Sequence, residues 1–307
     1  MPFWSSKWIQ FKAFLHRQTF PGFKGIPIAV ILKYLWKEIW RDDIVTRANS
    51  MAYSFFLSIF PGLLVFLALL PYLPIGNMVS ALRRGYVGIL PKEMSDYIDS
   101  IIIEMTQTSR EGLLSVSIAL ALVFASNGVL SMIKGFHKSY EMTYKKQNTL
   151  QQRWRALKLT MVLGVLFLGS LATIILGKPA LLKLVSFAGV SVDNYRFLNF
   201  MRWTSVFIFY YMCIAIIYRI GPAYKNKEKL FSPGAMLATI LSLLSSLGFA
   251  VYVENFAQYN EIYGSIGALI LILLWLQINS FIILLGYELN ASIAINRDLL
   301  AYKEEHP

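Results

Sequence analysis

Cysteine, histidine and charged residues are all scarce in this sequence of 307 residues. The single cysteine, Cys213, excludes a disulfide framework and any cysteine-rich zinc or iron–sulfur site. The three histidines, His16, His137 and His306, lie far apart, and none of the motifs HExxH, GxSxG, GxxxxGKS/T or GxGxxG occurs. Only 15% of the residues are charged, which excludes a disordered chain or a soluble coiled coil. We therefore expect a protein without enzyme activity, cofactor or metal.

Apolar residues make up 56% of the chain, and they are concentrated in six long stretches whose interiors carry no charge. A helix needs about 20 such residues to cross a hydrocarbon core about 30 Å thick. In lipid the backbone must satisfy its own hydrogen bonds, and runs of this length do so as helices. The stretches are 50–74, 113–133, 157–177, 201–220, 235–255 and 264–287. The sequence therefore predicts an all-α fold, a polytopic membrane bundle of about six transmembrane helices.

Basic residues are distributed unequally between the two sides of this bundle. Of the 29 Lys and Arg residues, 21 fall on the side that holds both termini, whereas acidic residues divide almost evenly. The positive-inside bias therefore predicts that both termini are cytoplasmic. The net charge of +12 then belongs to the inner face, where anionic lipid headgroups are the expected partners. No nucleic-acid-binding motif accompanies this charge, so we do not expect nucleic acid as a partner.

The predicted organisation has three parts: a basic cytoplasmic N-terminal region at 1–49, a transmembrane domain at 50–290 and a cytoplasmic tail at 291–307. The first part lacks the continuous apolar core of a signal peptide, so we expect no cleavage. Apolar residues at helical spacing near Trp4 and Trp8, and again over 28–39, predict amphipathic helices. These helices lie either in the membrane interface or against the cytoplasmic ends of the bundle. A similar stretch at 94–105 is predicted to cap the outer end.

Small residues recur at four-residue spacing in helices one, two and five, a pattern typical of close helix packing in membranes. The longest run is Gly234, Ala238, Ser242, Ser246 and Ala250; the others are Ser50, Ser54 and Ser58, and Ser117, Ala121 and Ala125. A polar wall of a transport path is the alternative interpretation of the same residues.

A proline lies within the first predicted span. Pro61 leaves the carbonyl of Leu57 without its usual donor and is expected to kink the helix, with Ser58 satisfying part of the freed backbone.

Few polar side chains lie within the spans. On a helical wheel Gln277, Ser280 and Glu288 share one side of helix six, and Asn279, Gly286 and Asn290 share the opposite side. Asn127 is expected to bond a neighbouring helix or to line a hydrophilic cavity. Glu288 stands near the inner boundary, where pairing with Lys134, Lys138 or Arg297 is the expected role.

The C-terminal segment YGSIGALILILLWLQINSFIILLGYELNA resembles the signature of the YihY/virulence factor BrkB family of bacterial inner-membrane proteins. The matching positions are Tyr263, Gly264, Trp275, Gly286, Glu288, Leu289, Asn290 and Ala291. The first span is similar to the family's entry helix at Ala52, Tyr53, Ser58 and Pro61. FHKSYE resembles the family's Asn-Arg-x-Tyr element, with His137 in place of the expected Asn.

The resemblance implies a multi-pass protein of the bacterial inner membrane without a settled activity. Relatives are described as candidate transporters linked to envelope lipids, lipopolysaccharide and serum resistance, and the family once carried a ribonuclease BN label. A metal-dependent ribonuclease needs a cluster of His and Asp ligands, which this sequence lacks.

Three hypotheses follow. The first is a transporter or flippase of a lipid or amphiphilic envelope metabolite. The second is a non-transporting membrane scaffold for envelope biogenesis. The third is a membrane-embedded enzyme, which a cluster of Asp193, Glu254 and Glu261 in one outer pocket would favour. The candidate cavity or packing residues are Ser54, Ser58, Pro61, Asn127, Tyr263, Gly264, Trp275, Gln277, Ser280, Glu288 and Asn290. The oligomeric state is not predicted.

Overall fold

A computed structural model describes residues 43–69, 111–137, 142–167, 195–226, 230–255 and 260–305, together with Tyr140 and scattered positions between 22 and 36. Six long helices occupy these ranges. They are α1 (Ile44–Leu69), α2 (Glu111–Gly135), α3 (149–167), α4 (Tyr195–Ile220), α5 (Pro233–Asn255) and α6 (Asn260–Glu305). Among the described residues, Tyr144 and Tyr224 form an isolated antiparallel β-bridge.

Five of these helices are long and apolar enough to cross a membrane. The spans are Ile44–Val65, Ser115–Gly135, Trp203–Ile220, Pro233–Val253 and Leu269–Glu304. Together they confirm the predicted all-α, polytopic membrane bundle. The helix α3 covers the beginning of the predicted third span, 157–177, and the rest of that span lies outside the described residues. The predicted helices near Trp4 and over 94–105 also lie outside them.

Two helices extend beyond their predicted spans. Helix α1 begins at Ile44, so it includes Arg47 and Asn49. Helix α6 has 46 residues, which at 1.5 Å per residue is about 69 Å, far longer than a hydrocarbon core about 30 Å thick. Residues Ala291 to Ile295 in this extension are buried, because they pack against other parts of the chain.

The chain divides into two compact units, Ser54–Gly128 and the remainder, and the division falls within α1 and α2. In the smaller unit the two helices approach closely at Gly128, where an added Cβ would lie 2.8 Å from the ring of Phe55. Helix α1 continues through Pro61, which is buried. The hydroxyl of Ser58 donates to the carbonyl of Phe55 at 2.6 Å. The expectation that Ser58 serves the carbonyl freed by Pro61 was therefore wrong, because its hydroxyl bonds the carbonyl of Phe55 and not that of Leu57.

In the larger unit α5 and α6 cross closely where glycines face each other. A Cβ on Gly286 would lie 2.6 Å from the carbonyl oxygen of Gly234 and 2.7 Å from Cβ of Ala238. Gly234, Ala238 and Ser242 are buried, whereas Ala250 is exposed. The predicted packing seam of α5 is therefore confirmed over its first two turns.

The segment just before α1 docks onto the C-terminal half of α6. Ile26 and Ile31 form a buried apolar cluster with Leu289 and Ile293. The helical positions described between 29 and 36 leave Trp36 exposed on the other side. The sequence left open whether this segment lies in the membrane interface or packs against the bundle. The structure shows it packed against α6.

Candidate functional site

The centre of the candidate site is an ion pair between the start of α1 and the middle of α6. Nη2 of Arg47 lies 2.9 Å from Oε1 of Glu288, whose side chain is fully buried. Nη1 of the same guanidinium donates to the carbonyl of Gly135 at the end of α2. One arginine therefore joins three helices, and it neutralises a carboxylate that would be costly to bury alone.

This ion pair was not predicted. The sequence suggested Lys134, Lys138 or Arg297 as the partner of Glu288, whereas the contact that the structure shows is with Arg47. The guanidinium of Arg297 lies 2.7 Å from Asp298. Arg47 was overlooked because it precedes the predicted first span and was assigned to the N-terminal region. Helix α1 begins earlier, which places Arg47 at the level of Glu288.

A second set of polar contacts surrounds the next residue along α6. The hydroxyl of Tyr287 lies 2.6 Å from the carbonyl of Phe136 and 3.0 Å from the hydroxyl of Tyr144. A carbonyl oxygen only accepts, so Tyr287 donates to Phe136 and Tyr144 donates to Tyr287. The rings of Phe136 and Tyr287 also pack together, with centroids 4.4 Å apart. We call Arg47, Phe136, Tyr144, Tyr287 and Glu288 the Glu288 junction.

The loops that follow α2 and α4 meet beside this junction. Tyr144 and Tyr224 form a single antiparallel bridge, in which Lys145 donates to the carbonyl of Ala223 and Lys225 donates to that of Thr143. The two tyrosine rings stack with centroids 4.9 Å apart. Both loops are therefore held together by backbone and aromatic contacts.

Two side chains fix these loops to neighbouring helices. The hydroxyl of Thr143 donates to Asp298 on the extension of α6 at 2.8 Å. Arg155, near the start of α3, donates to the carbonyl of Pro222 at 2.7 Å, just beyond the C-terminal end of α4, where a cation is favourable. The helices α3 and α6 and the two loops thus share one polar assembly at the end that is predicted to be cytoplasmic.

Burial changes the acidity of two groups outside the membrane spans. Desolvation raises the pKa of the Tyr144 hydroxyl well above its usual value, and the neighbouring Tyr287 adds to this rise. Desolvation also lowers the pKa of the Arg155 guanidinium from its usual value. At neutral pH Tyr144 is therefore a protonated hydroxyl, which is the form able to donate to Tyr287.

A small polar cavity of about 20 Å³ lies beside the bridge, lined in part by His137, Tyr144 and Gln152. This volume has room for about one water molecule. The imidazole of His137 is exposed, as expected for a surface histidine.

The opposite side of α6 holds the N-terminus of α5. Oδ1 of Asn290 accepts from the backbone amide of Gly234 at 2.8 Å, and Nδ2 of Asn290 donates to Ser232 at 3.0 Å. Ser232 is the N-cap residue and accepts from the amide of Ala235. The predicted division of α6 into two faces is thus correct: Glu288 contacts α1, whereas Gly286 and Asn290 contact α5.

The remaining predicted residues fall in different places. Nε2 of Gln277 donates to Asn49 of α1 at 2.8 Å, and Ser280 is buried. Tyr263 and Gly264 lie in the first turns of α6, and their side-chain surroundings are outside the described residues. Asn127 and Ser54 are half-buried in the smaller unit.

Trp275 lines an open apolar groove between α5 and α6. The groove has a volume of about 370 Å³ and is otherwise lined by Phe249, Val253, Leu271 and Ile272. It lies toward the ends of the helices that are remote from the Gly234–Gly286 contact.

The sequence profile of the virulence factor BrkB family matches residues 35–307, which include the whole Glu288 junction. The chain belongs to this family. A Bacillus subtilis (strain 168) relative named ribonuclease-like protein YfkH is 28% identical over 261 residues, covering 85% of this chain and 94% of the relative. The UPF0761 membrane protein NTHI0384 of Haemophilus influenzae (strain 86-028NP) is 25% identical over 264 residues, covering 84% of this chain and 93% of the relative. No solved structure matches.

Membership of the BrkB family confirms the resemblance found in the sequence. The motif that carried this resemblance left one position open, between Gly286 and Glu288. Tyr287 occupies this position and makes two of the buried hydrogen bonds of the junction. A large side chain with a hydroxyl, placed one residue before a buried acid, was a signal that could have identified it.

Proposed function

We propose that this BrkB-family membrane protein is a transporter or flippase of a lipid or amphiphilic envelope metabolite in the bacterial inner membrane. The Glu288 junction closes the cytoplasmic end of its path. The observation that carries this proposal is the Arg47–Glu288 ion pair between two membrane helices, in which the carboxylate of Glu288 is fully buried.

A buried ion pair is a poor way to obtain stability alone. Two apolar side chains of similar volume hold helices together as well or better, because they carry no desolvation cost. Ionisable residues at membrane depth commonly mark pathways and gates. An ion pair such as Arg47–Glu288 can be made or broken, and a gate requires an element with two such states. Because Arg47 neutralises Glu288, proton coupling through this carboxylate is not part of the proposal.

The apolar groove beside Trp275 supports an amphiphilic substrate. Its described lining is apolar, so it suits a hydrocarbon chain and not a sugar or an ion. The basic residues predicted at the cytoplasmic face suit an anionic headgroup.

The test is transport by the purified protein in liposomes, with fluorescent phospholipid and lipid-linked sugar as separate substrates. We expect faster movement of one of them than in protein-free liposomes. Glu288→Gln should change this rate several-fold, because the pair that closes the path is weakened. The exchange Arg47→Glu with Glu288→Arg should bring the rate back toward that of the unmodified protein.

Arg297→Gln provides a matched control, since it removes a cation of the same helix that pairs locally with Asp298. This variant should leave the rate unchanged. If the unmodified protein moves neither substrate above the protein-free background, the transport proposal is wrong.

A non-transporting scaffold is the second candidate, and a specific observation favours it. Gly286, Tyr287, Glu288 and Asn290 each contact another element of the chain, so this part of the motif acts as a packing element. In that case Glu288→Gln should change the thermal stability of the purified protein. Neither the variant nor the unmodified protein should then move a substrate in liposomes. For the third hypothesis, a membrane-embedded enzyme, the side chains of Asp193, Glu254 and Glu261 lie outside the described residues.

A further inference from the structure

Helix α3 carries an exposed apolar stripe along its length. Leu150, Trp154, Leu157, Met161 and Val165 follow one another at spacings of four, three, four and four, and Leu150 and Trp154 are 69% and 66% exposed. At about 100° per residue these five side chains lie within an arc of about 80°. The opposite side of α3 contains the buried Ala156 and Leu159. The helix therefore has one face against the protein and one face directed away from it.

Cations border the exposed stripe on both sides. On the helical wheel Arg153 lies about 40° beyond one edge of the stripe and Lys158 about 20° beyond the other. Both side chains are exposed, as are Lys145 and Lys146 in the preceding loop. Residues 142–167 contain five Lys and Arg residues and no Asp or Glu. Of these five, Arg155 is directed toward the end of α4, where it donates to the carbonyl of Pro222.

The position of the stripe relative to the predicted span matches the headgroup region. Trp154 precedes residue 157 by three positions, or about 5 Å, and Leu150 precedes it by about 10 Å. The headgroup layer on each side of a bilayer is about 5–8 Å thick. Tryptophan is enriched at this depth, and basic residues around an apolar face attract anionic lipids.

We propose that this face of α3, formed by Leu150, Trp154, Arg153 and Lys158, is a docking surface for an anionic phospholipid of the cytoplasmic leaflet. The acyl chains cover the stripe and the phosphate lies between the two cations. Charge complementarity selects this occupant, because the face offers cations without a single acidic residue over 142–167. The proposal is independent of transport, since a scaffold would bind the same lipid.

The test uses the purified full-length protein in phosphatidylcholine vesicles that contain a minority of photoreactive phosphatidylglycerol. Labelling is carried out at low ionic strength, and the crosslinked peptides are then mapped by mass spectrometry. We expect labelling of the peptide over 149–161, and several-fold less labelling when photoreactive phosphatidylcholine replaces the anionic lipid. The double variant Arg153→Gln/Lys158→Gln should lower labelling by at least about fivefold, because each such cation contributes about a fivefold factor in affinity.

The matched control is Lys33→Gln/Lys303→Gln, which removes two exposed cations that lie elsewhere in the larger unit. It should leave labelling of this peptide unchanged. Equal labelling by both lipids, or equal loss in both double variants, would overturn the proposal. A change of oligomeric state in Arg153→Gln/Lys158→Gln with unchanged lipid labelling would overturn it as well, since the occupant would then be a second copy.

A depth measurement provides an independent check. Trp154→Cys in a Cys213→Ser background gives one attachment point for a nitroxide label. The rates at which oxygen and a water-soluble relaxation agent collide with the label report its depth. We expect them to correspond to the headgroup region. A label accessible only to the water-soluble agent would contradict the docking surface, and Leu150→Cys provides a second position if Trp154→Cys does not fold.

Discussion

Arg47 and Glu288 are separated by 241 positions in the sequence, yet Nη2 of the arginine lies 2.9 Å from Oε1 of the glutamate. The same arginine donates to the carbonyl of Gly135. The start of α1, the end of α2 and the middle of α6 therefore meet around one guanidinium. This arrangement leads to the first prediction, in which removal of one charge and removal of both have different consequences.

Replacement of either member alone, Arg47→Met or Glu288→Met, should destabilise the protein by about 3–5 kcal/mol, because the remaining charge stays buried without its partner. The double variant should lose much less than the sum and approach the stability of the unmodified protein. Thermal unfolding of the four proteins in one detergent measures the difference. Additive losses would show that the two side chains act independently.

Gly286→Ala should destabilise the crossing of α5 and α6 by about 1–3 kcal/mol or more. The added methyl group would lie 2.6 Å from both the carbonyl of Gly234 and the hydroxyl of Tyr218, and backbone cannot move aside easily. Gly248→Ala on α5 is the matched control, since an added Cβ there has nothing within 4 Å. This control should keep or raise the unfolding temperature, because alanine favours helix over glycine. Equal losses in both variants would contradict the close crossing.

Asn290→Ala should lower the free energy of unfolding by about 0.5–2 kcal/mol, because the amide of Gly234 at the start of α5 loses its acceptor. Ser292→Ala, on the same helix, removes a hydroxyl that donates to the carbonyl of Glu288 four residues back. We expect a smaller loss there, since that carbonyl is part of the ordinary helix ladder. Hydrogen exchange at the first turn of α5 should rise in Asn290→Ala alone.

The stability of the folded protein should fall in alkaline solution, because the hydroxyl of Tyr144 loses its proton. Its pKa is raised in the folded protein, so the folded state holds this proton more tightly than the unfolded state does. The resulting stabilisation is complete below the unfolded pKa of about 10 and is lost as the pH rises toward the higher folded pKa. Unfolding temperatures measured from pH 8 upward should fall less steeply in Tyr144→Phe than in the unmodified protein. Identical slopes would show that another group causes the loss.

The motif of α6 shows which contacts could be predicted from the periodicity of the sequence and which could not. Its periodicity predicted that Gly286 and Asn290 share one side and Glu288 the other, because a helix fixes these directions by itself. The same periodicity gave no indication of Arg47, since the partner of a buried acid depends on which distant helix end arrives beside it. Tyr144 illustrates the same point: its loop has no helical or strand periodicity, and its position depends on the bridge to Tyr224.

Composition and helical spacing alone determined that the chain crosses a membrane several times and where most spans lie. These properties are local, because burial in lipid requires only length, apolarity and an internally bonded backbone. The tertiary structure decided that Arg47 neutralises Glu288, that Tyr287 reaches the carbonyl of Phe136, and that Ile31 docks on α6. Such contacts join distant segments, and their formation depends on how the helices are arranged in space, which no single segment encodes.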